Sequence, residues 1–304
     1  MSVPPPADPG AAAGVPVCPR HPDRESYVRC QRCERPVCPQ CQRQAAVGVQ
    51  CVDCVRGQGR TPAARTVFGG RVGGEVPWVS YGVIATCVGV FLLQMLGVDD
   101  ITGRFAYAPN TTLAEPWRMV TSAFLHSPSF LLHIVFNMYG VWLLGPALEH
   151  LFGPIRFAAL YLLSAFGGSV GYFVLASPHA NDAWYGGVVG ASGALFGLFA
   201  ALVLVNRRLG RDNAPIIGVI VINAVLGLIP NSVVKIAWQG HLGGLLAGAA
   251  VAAVIVYSPR RSRSWLHPLG LVCVLLLLLL IIAAKVASIP PGMLASQLLA
   301  PVIQ

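Results

Sequence analysis

From Trp78 onward the chain is a succession of apolar runs separated by short polar breaks, whereas the stretch before it is polar and carries paired cysteines. Seven apolar runs stand out, at roughly 78–97, 130–151, 154–176, 188–206, 215–230, 235–257 and 267–288. As helices they are long enough to cross a hydrocarbon layer of ~30 Å, with 215–230 the shortest. The pattern predicts an all-α polytopic membrane protein embedded in the lipid bilayer, behind a small polar N-terminal module.

Composition sharpens this reading. Of 304 residues, 55% are hydrophobic and 11% charged, and the mean hydropathy is +0.65. A soluble chain would carry about 25% charged residues. The net charge of +9 is almost wholly arginine, because Lys235 and Lys285 are the only lysines. Such a balance reads as membrane topology rather than nucleic-acid binding, and no nucleic-acid partner is expected. Arg207, Arg208 and Arg211 fall in the loop 206–214, Arg260, Arg261 and Arg263 in 258–265, and Arg156 in the turn after the second run. The opposite loops 177–187 and 231–234 hold no arginine. The expectation is a multi-pass protein of the cell membrane with a cytoplasmic N-terminus. The long loop 98–129 then lies outside, with Phe105, Tyr107, Trp117, Phe124 and Leu125 fitting it to the interface.

The N-terminal part divides by composition. Residues 1–16 read as a disordered leader with no signal-peptide pattern. Residues 17–56 read as a metal module, 57–77 as a Gly- and Arg-bearing linker, 78–257 as the membrane core, and 258–304 as an additional transmembrane helix and tail. Seven cysteines and one histidine form four pairs of spacing two: Cys18 and His21, Cys30 and Cys33, Cys38 and Cys41, Cys51 and Cys54. Two ligands so spaced can wrap one side of a tetrahedral zinc, so the eight predict two structural zinc ions. A disulfide framework would need an oxidising compartment and fits an odd number of thiols poorly. Metal binding must supply most of the folding energy of so small a module. Spacing leaves open whether the pairs share metals sequentially or alternately. The order of pairs resembles B-box and related cross-brace zinc fingers. That resemblance implies Cys18, His21, Cys38 and Cys41 around one metal, and Cys30, Cys33, Cys51 and Cys54 around the other. The last pair departs from the usual B-box, which ends in histidines. Such modules usually bind protein, which leaves room for a cytoplasmic protein partner.

Polar residues inside the apolar runs carry the chemistry. His133 and Asn137 are four apart in the second run and share a helix face. Ser192 lies in the fourth run within Gly190-Ala191-Ser192-Gly193, and His241 in the sixth. With the N-terminus inside, His133, Ser192 and His241 sit ~5–9 Å below the outer helix ends, at one level. Singly, each has a packing explanation: Gly193 and Gly197 form a small-residue pair, and Asn137 reads as an interhelical hydrogen-bond partner. Together at one depth they point to a site. Gly240, Gly244 and Gly248 give the sixth helix a smooth face that lets Ser192 reach His241. His241 would act as general base on Ser192, and no carboxylate at that depth completes a triad. His133, the Asn137 amide and the Ser192 N–H are candidate oxyanion donors.

At these residues the chain resembles the rhomboid intramembrane serine proteases. The matching pieces are Trp117-Arg118, His133 to Asn137, Glu149 to Gly153, Trp184 to Gly187, Gly190 to Gly193, and His241 to Gly244. The resemblance covers about 78–257. It implies a six-helix rhomboid core, with 267–288 as one extra C-terminal helix and the zinc module as a further addition. It implies Ser192 as nucleophile, His241 as base, His133 and Asn137 at the oxyanion hole, and no cofactor for catalysis. Substrates would be membrane-anchored proteins cut in or near a transmembrane helix. Arg118 and Glu149 resemble structural residues that tie the outer loop to the core. Gln239 before His241 departs from the small residue common in the family. The competing readings are a rhomboid-like pseudoprotease that binds membrane clients without cutting them, and a transporter, which would place charges or broken helices at the midplane.

Overall fold

The computed structural model describes residues 14–58, 65–70, 72, 76–178, 184–229, 236–258 and 265–290. The leader up to residue 13, the loop 231–234, Arg260, Arg261, Arg263 and the tail after 290 lie outside the described residues, as does part of the linker. The chain divides into two compact units, Met1–Ala63 and Ala64–Gln304.

Among the described residues the first unit has two short hairpins and one α-helix. β1 (Val17–Cys18) pairs with β2 (His21–Glu25), β3 (Gln42–Gln44) pairs antiparallel with β4 (Val49–Cys51), and α1 (Val52–Gln58) follows. Its buried interior is mostly cysteine: Cys18, Cys30, Cys38, Cys41 and Cys51, with Val37 and Val52 beside them. So little apolar surface cannot hold a fold of this size, which places the stabilising burden on whatever the thiols bind.

The second unit is helical. α2 (Trp78–Met95) is followed by the outer loop with its short helices α3 (Ile101–Phe105) and α4 (Arg118–Thr121). Next come α5 (Leu131–Phe152), α6 (Pro154–Leu175), α7 (Ser192–Arg208), α8 (Ala214–Leu228), α9 (Trp238–Tyr257) and α10 (Leu266–Ala287). α2, α5, α6, α9 and α10 are long and apolar enough to cross a membrane. α7 and α8 fall in the expected places but are shorter, at 17 and 15 residues. α7 begins at Ser192 rather than near 188, because Tyr107 and Val188 exchange backbone hydrogen bonds (3.1 and 2.7 Å) that hold the preceding segment out of the helix.

At the centre α6, α7 and α9 meet through glycine. A Cβ on Gly244 would run into the Gly193 carbonyl, and one on Gly248 into Gly197. α6 supplies a third smooth face. A Cβ on Gly168 would sit 3.1 Å from the Gly240 carbonyl, and one on Gly171 would lie 2.7 Å from Gly243 Cα. Without side chains between them the backbones touch, which fixes where the α7 and α9 side chains meet. α10 packs on this assembly, with Val274 and Leu278 in the same core.

Two ties depart from the sequence reading. Glu149, buried near the end of α5, does not reach the outer loop. Its carboxylate accepts from the Val79 and Ser80 N–H groups (3.0 and 2.8 Å) and from Ser80 Oγ (2.7 Å). It thereby caps the first turn of α2, where donors lack intrahelical partners and negative charge is favoured. Residues 65–70, read as linker, instead dock on the α5–α6 turn. Thr66 Oγ1 and the Gly70 N–H donate to the Leu151 carbonyl (2.6 and 3.0 Å), and Phe68 packs edge-on against Phe152 at 5.9 Å. One carbonyl at the end of α5 is thus satisfied twice by a segment more than eighty residues upstream. Arg118 does hold the outer loop: it donates to the Gly103 and Ala106 carbonyls and pairs with Glu115 at 2.7 Å.

Candidate active site and metal clusters

The segment before Ser192 is framed by the outer loop. Beyond the Tyr107–Val188 bridge, the Gly190 N–H donates to the Ser122 carbonyl at 2.9 Å. Gly190 has φ +127°, which L side chains rarely adopt, and a Cβ there would lie 2.6 Å from His133 Nε2. Glycine is therefore required twice at this position, and its absence of a side chain lets the His133 ring edge approach the Gly190 backbone two residues before Ser192. His133 Nδ1 faces the Ser127 N–H at 3.5 Å. In the neutral ring that leaves the proton on Nε2, the nitrogen turned toward Gly190.

Ser192 is half-buried at the first helical position of α7. Its own N–H and those of the next residues have no carbonyl four residues back within the helix. One turn further on, Phe196 stacks on the His241 ring, centroids 4.2 Å apart and planes 14° from parallel. Residues i and i+4 share a helix face, so this stack places the His241 ring on the face of α7 that carries Ser192. Among the described residues no hydrogen bond joins Ser192 to His241, and His241 Nδ1 is buried without a partner. Such contacts are often long before substrate binds. Asn137 is 5% exposed. Its Nδ2 donates back to the His133 carbonyl at 2.8 Å, and its Oδ1 has no partner. The second Nδ2 hydrogen is the one left for a ligand.

A cavity of about 40 Å³ opens beside Ser192, lined by Ser122, Ser169, Tyr172, Val188, Gly190, Gly193 and Gly240 among others. That is room for a small number of waters. His126, which the sequence reading missed, is fully buried in the loop before α5 with its ring 5.2 Å from that of His133. Burial, helped by the neighbouring His133, pushes it down to about 3, so it is neutral at physiological pH. Phe196 was missed too, although its spacing of four from Ser192 was legible. Ser192, His241 and His133 are thus linked through Phe196 and Gly190, and Asn137 reaches the group through the His133 backbone.

In the N-terminal unit the eight cysteine and histidine residues form two groups, each with its ligand atoms within 4.8 Å of one another. Cys18, His21, Cys38 and Cys41 form one, and Cys30, Cys33, Cys51 and Cys54 the other. The pairs alternate; a sequential arrangement is excluded by this geometry. His21 Nδ1 lies 3.3 Å from Cys38 Sγ, 3.4 Å from Cys41 Sγ and 4.0 Å from Cys18 Sγ. Cys33 and Cys51 Sγ are 3.8 Å apart, close to the ~3.8 Å edge of a tetrahedron with ~2.3 Å metal–sulfur bonds. Burial raises the Cys18 and Cys30 thiols. Hydrogen bonds outweigh it, from the Cys38 and Arg20 backbone and the His21 and Cys38 side chains in one case, and from the Cys51, Arg32 and Cys33 backbone and the Cys33 side chain in the other, and each is held down to about 6. Each cluster could hold a metal ion and is compatible with zinc.

Comparison with known proteins fits this geometry. The Rhomboid domain profile matches residues 113–259, from the outer loop through α9. The putative rhomboid protease YdcA of Bacillus subtilis (strain 168) is 32% identical over 167 residues, which cover 54% of this chain and 77% of the relative. The chain belongs to the rhomboid family. As a rhomboid it is also similar to the rhomboid protease GluP of B. subtilis, 35% identical over 175 residues, covering 54% of this chain and 32% of the relative. RHOMBOID-like protein 1 of Arabidopsis thaliana is 37% identical over 225 residues, with 60% and 54% covered. The chain spans about a third of GluP's length and about half that of the Arabidopsis relative. Its membership and its apolar helices make it a multi-pass membrane protein.

Proposed function

We propose that this rhomboid is an intramembrane serine endopeptidase that cleaves membrane-anchored proteins in or near a transmembrane helix. The observation that carries the reading is the Phe196–His241 stack, because Phe196 lies one turn after Ser192 on α7. Ser192 Oγ attacks the scissile carbonyl while His241 takes its proton. The developing oxyanion is met by the Ser192 N–H, His133 Nε2–H and the remaining Asn137 amide hydrogen. His241 then protonates the leaving amine, and a water from the adjoining cavity, deprotonated by His241, attacks the acyl-enzyme and releases the acid product. No cofactor enters these steps. Arg118 belongs to the frame rather than the chemistry, and Glu149 likewise.

The eight cluster residues would each hold their share of two structural zinc ions, with the module in the reducing cytoplasm, as the arginine-rich loops on the same side suggest. A cytoplasmic protein is the partner class that fits such a module. The test of the enzyme reading is cleavage of a membrane-anchored substrate in proteoliposomes. Ser192→Ala and His241→Ala should abolish it with the helices intact. His133→Ala and Asn137→Ala should each lose ~10²–10³-fold, since each removes one oxyanion donor among three. A Ser192→Ala variant that still cuts refutes the mechanism. A parent protein that never cuts favours the pseudoprotease reading.

A further inference from the structure

We infer that Lys285, in the helix added after the six-helix core, is a positioning residue for the site at Ser192; the inference rests on the protease reading above. Lys285 lies in the last turn of α10. Its Nζ donates to the Val174 carbonyl at 3.0 Å and to the Ala176 carbonyl at 3.1 Å. These carbonyls belong to the C-terminal end of α6, where acceptors lack intrahelical donors and a cation is favoured. Long cationic side chains at the ends of apolar helices generally turn to the aqueous interface. Here the ammonium is turned onto the backbone of another helix, and among the described residues it forms no ion pair with a carboxylate.

The end of α6 that Lys285 grips is a wall of the site. Tyr172, two residues before Val174, lines the cavity beside Ser192, as does Ser169 one turn earlier. Ser169 Oγ donates to the Met119 carbonyl at 2.7 Å, joining the same wall to the outer loop. Phe173 packs 5.9 Å from Trp184, which is fully buried at the start of the segment leading to Ser192. Displacing the last turn of α6 therefore moves both the cavity wall and the support of the nucleophile segment. No residue of α10 lines the cavity beside Ser192, so its influence passes through this cap. The seventh helix is part of the catalytic frame, not only a peripheral anchor.

The experiment compares Lys285→Met, which keeps the stem and removes the ammonium, with Lys285→Arg and with Leu280→Ala on the exposed face of the same helix. Turnover of a membrane-anchored substrate is measured beside hydrogen exchange of the segments 172–178 and 184–191. Lys285→Met should lower kcat by about tenfold or more with KM little changed, as expected when reacting groups are held slightly out of place. It should also speed exchange in those two segments and not in α2. Lys285→Arg should restore both, and Leu280→Ala should match the parent. If Lys285→Met does not accumulate folded, Lys285→Gln, an uncharged donor on a shorter arm, is read in its place. Parent-like turnover or parent-like exchange in Lys285→Met overturns the inference, as does a folded Lys285→Arg that restores neither. If the parent neither cuts nor reacts with a serine probe, the protease reading fails. The exchange data then still decide whether Lys285 holds the end of α6.

Discussion

Replacing Gly244 with alanine adds one methyl where α7 and α9 touch, and its effect can be worked from the geometry. The new Cβ would lie 2.6 Å from the Gly193 carbonyl carbon and closer still to its oxygen, whereas ordinary contact begins at 3.4 Å. The obstacle is backbone on both sides, so no flexible side chain can give way. The helices must separate by roughly 1 Å, and a misplacement of that size at reacting groups costs on the order of 10²-fold in rate. Overpacking itself costs about 1–3 kcal/mol of stability, which leaves a folded protein measurable. Gly82→Ala and Gly89→Ala in α2 are the controls, because a Cβ at either meets nothing within 4 Å. They should be neutral or slightly stabilising, since alanine is the better helix former by about 1 kcal/mol. The assay is substrate cleavage in proteoliposomes beside thermal unfolding in detergent. Gly244→Ala with parent-level turnover would show that the close approach of α7 and α9 is not what brings His241 to Ser192.

Other consequences follow from the two regions outside the catalytic group. Phe68 is 2% exposed, so Phe68→Ala should destabilise the membrane unit by about 3–5 kcal/mol, and removal of residues 1–70 should lower its melting temperature far more than removal of 1–63. Equal melting temperatures for the two truncations would contradict the docking of 65–70. In the N-terminal module, elemental analysis should find two zinc ions per chain, and Cys38→Ala should unfold 17–56 without lowering cleavage by the membrane unit; one metal or none in metal-replete protein would refute the two-cluster reading.

Much of this arrangement was legible because its signals are local. Hydropathy placed the five helices long and apolar enough to cross a membrane, since such a span announces itself over some twenty consecutive residues, and it located the shorter α7 and α8 with less exact bounds. The spacing of two within each ligand pair was equally plain, and the resemblance to cross-brace modules gave the alternating pairing that the cluster geometry shows. What escaped the sequence is long-range and rests on single residues. Phe68 is one aromatic among glycines and arginines, too little to raise a hydropathy window, so a docked segment read as linker. Glu149 carries no mark of its target: a carboxylate at the end of α5 can reach the start of α2 only through the packing of both helices. Gly167, Gly168 and Gly171 were visible in α6, but which helix they faced depended on the arrangement of three. The start of α7 moved to Ser192 because a bridge to Tyr107, over eighty residues earlier, overrides local helix propensity.

The measurement that tests the central claim most directly is covalent labelling of the purified protein by a fluorophosphonate, which reacts preferentially with an activated serine. The account predicts uptake at Ser192, read by mass spectrometry of the modified peptide, and its loss in Ser192→Ala and His241→Ala that remain folded. Folded parent protein that takes up no probe, or a His241→Ala variant that labels at the parent's rate, would contradict it.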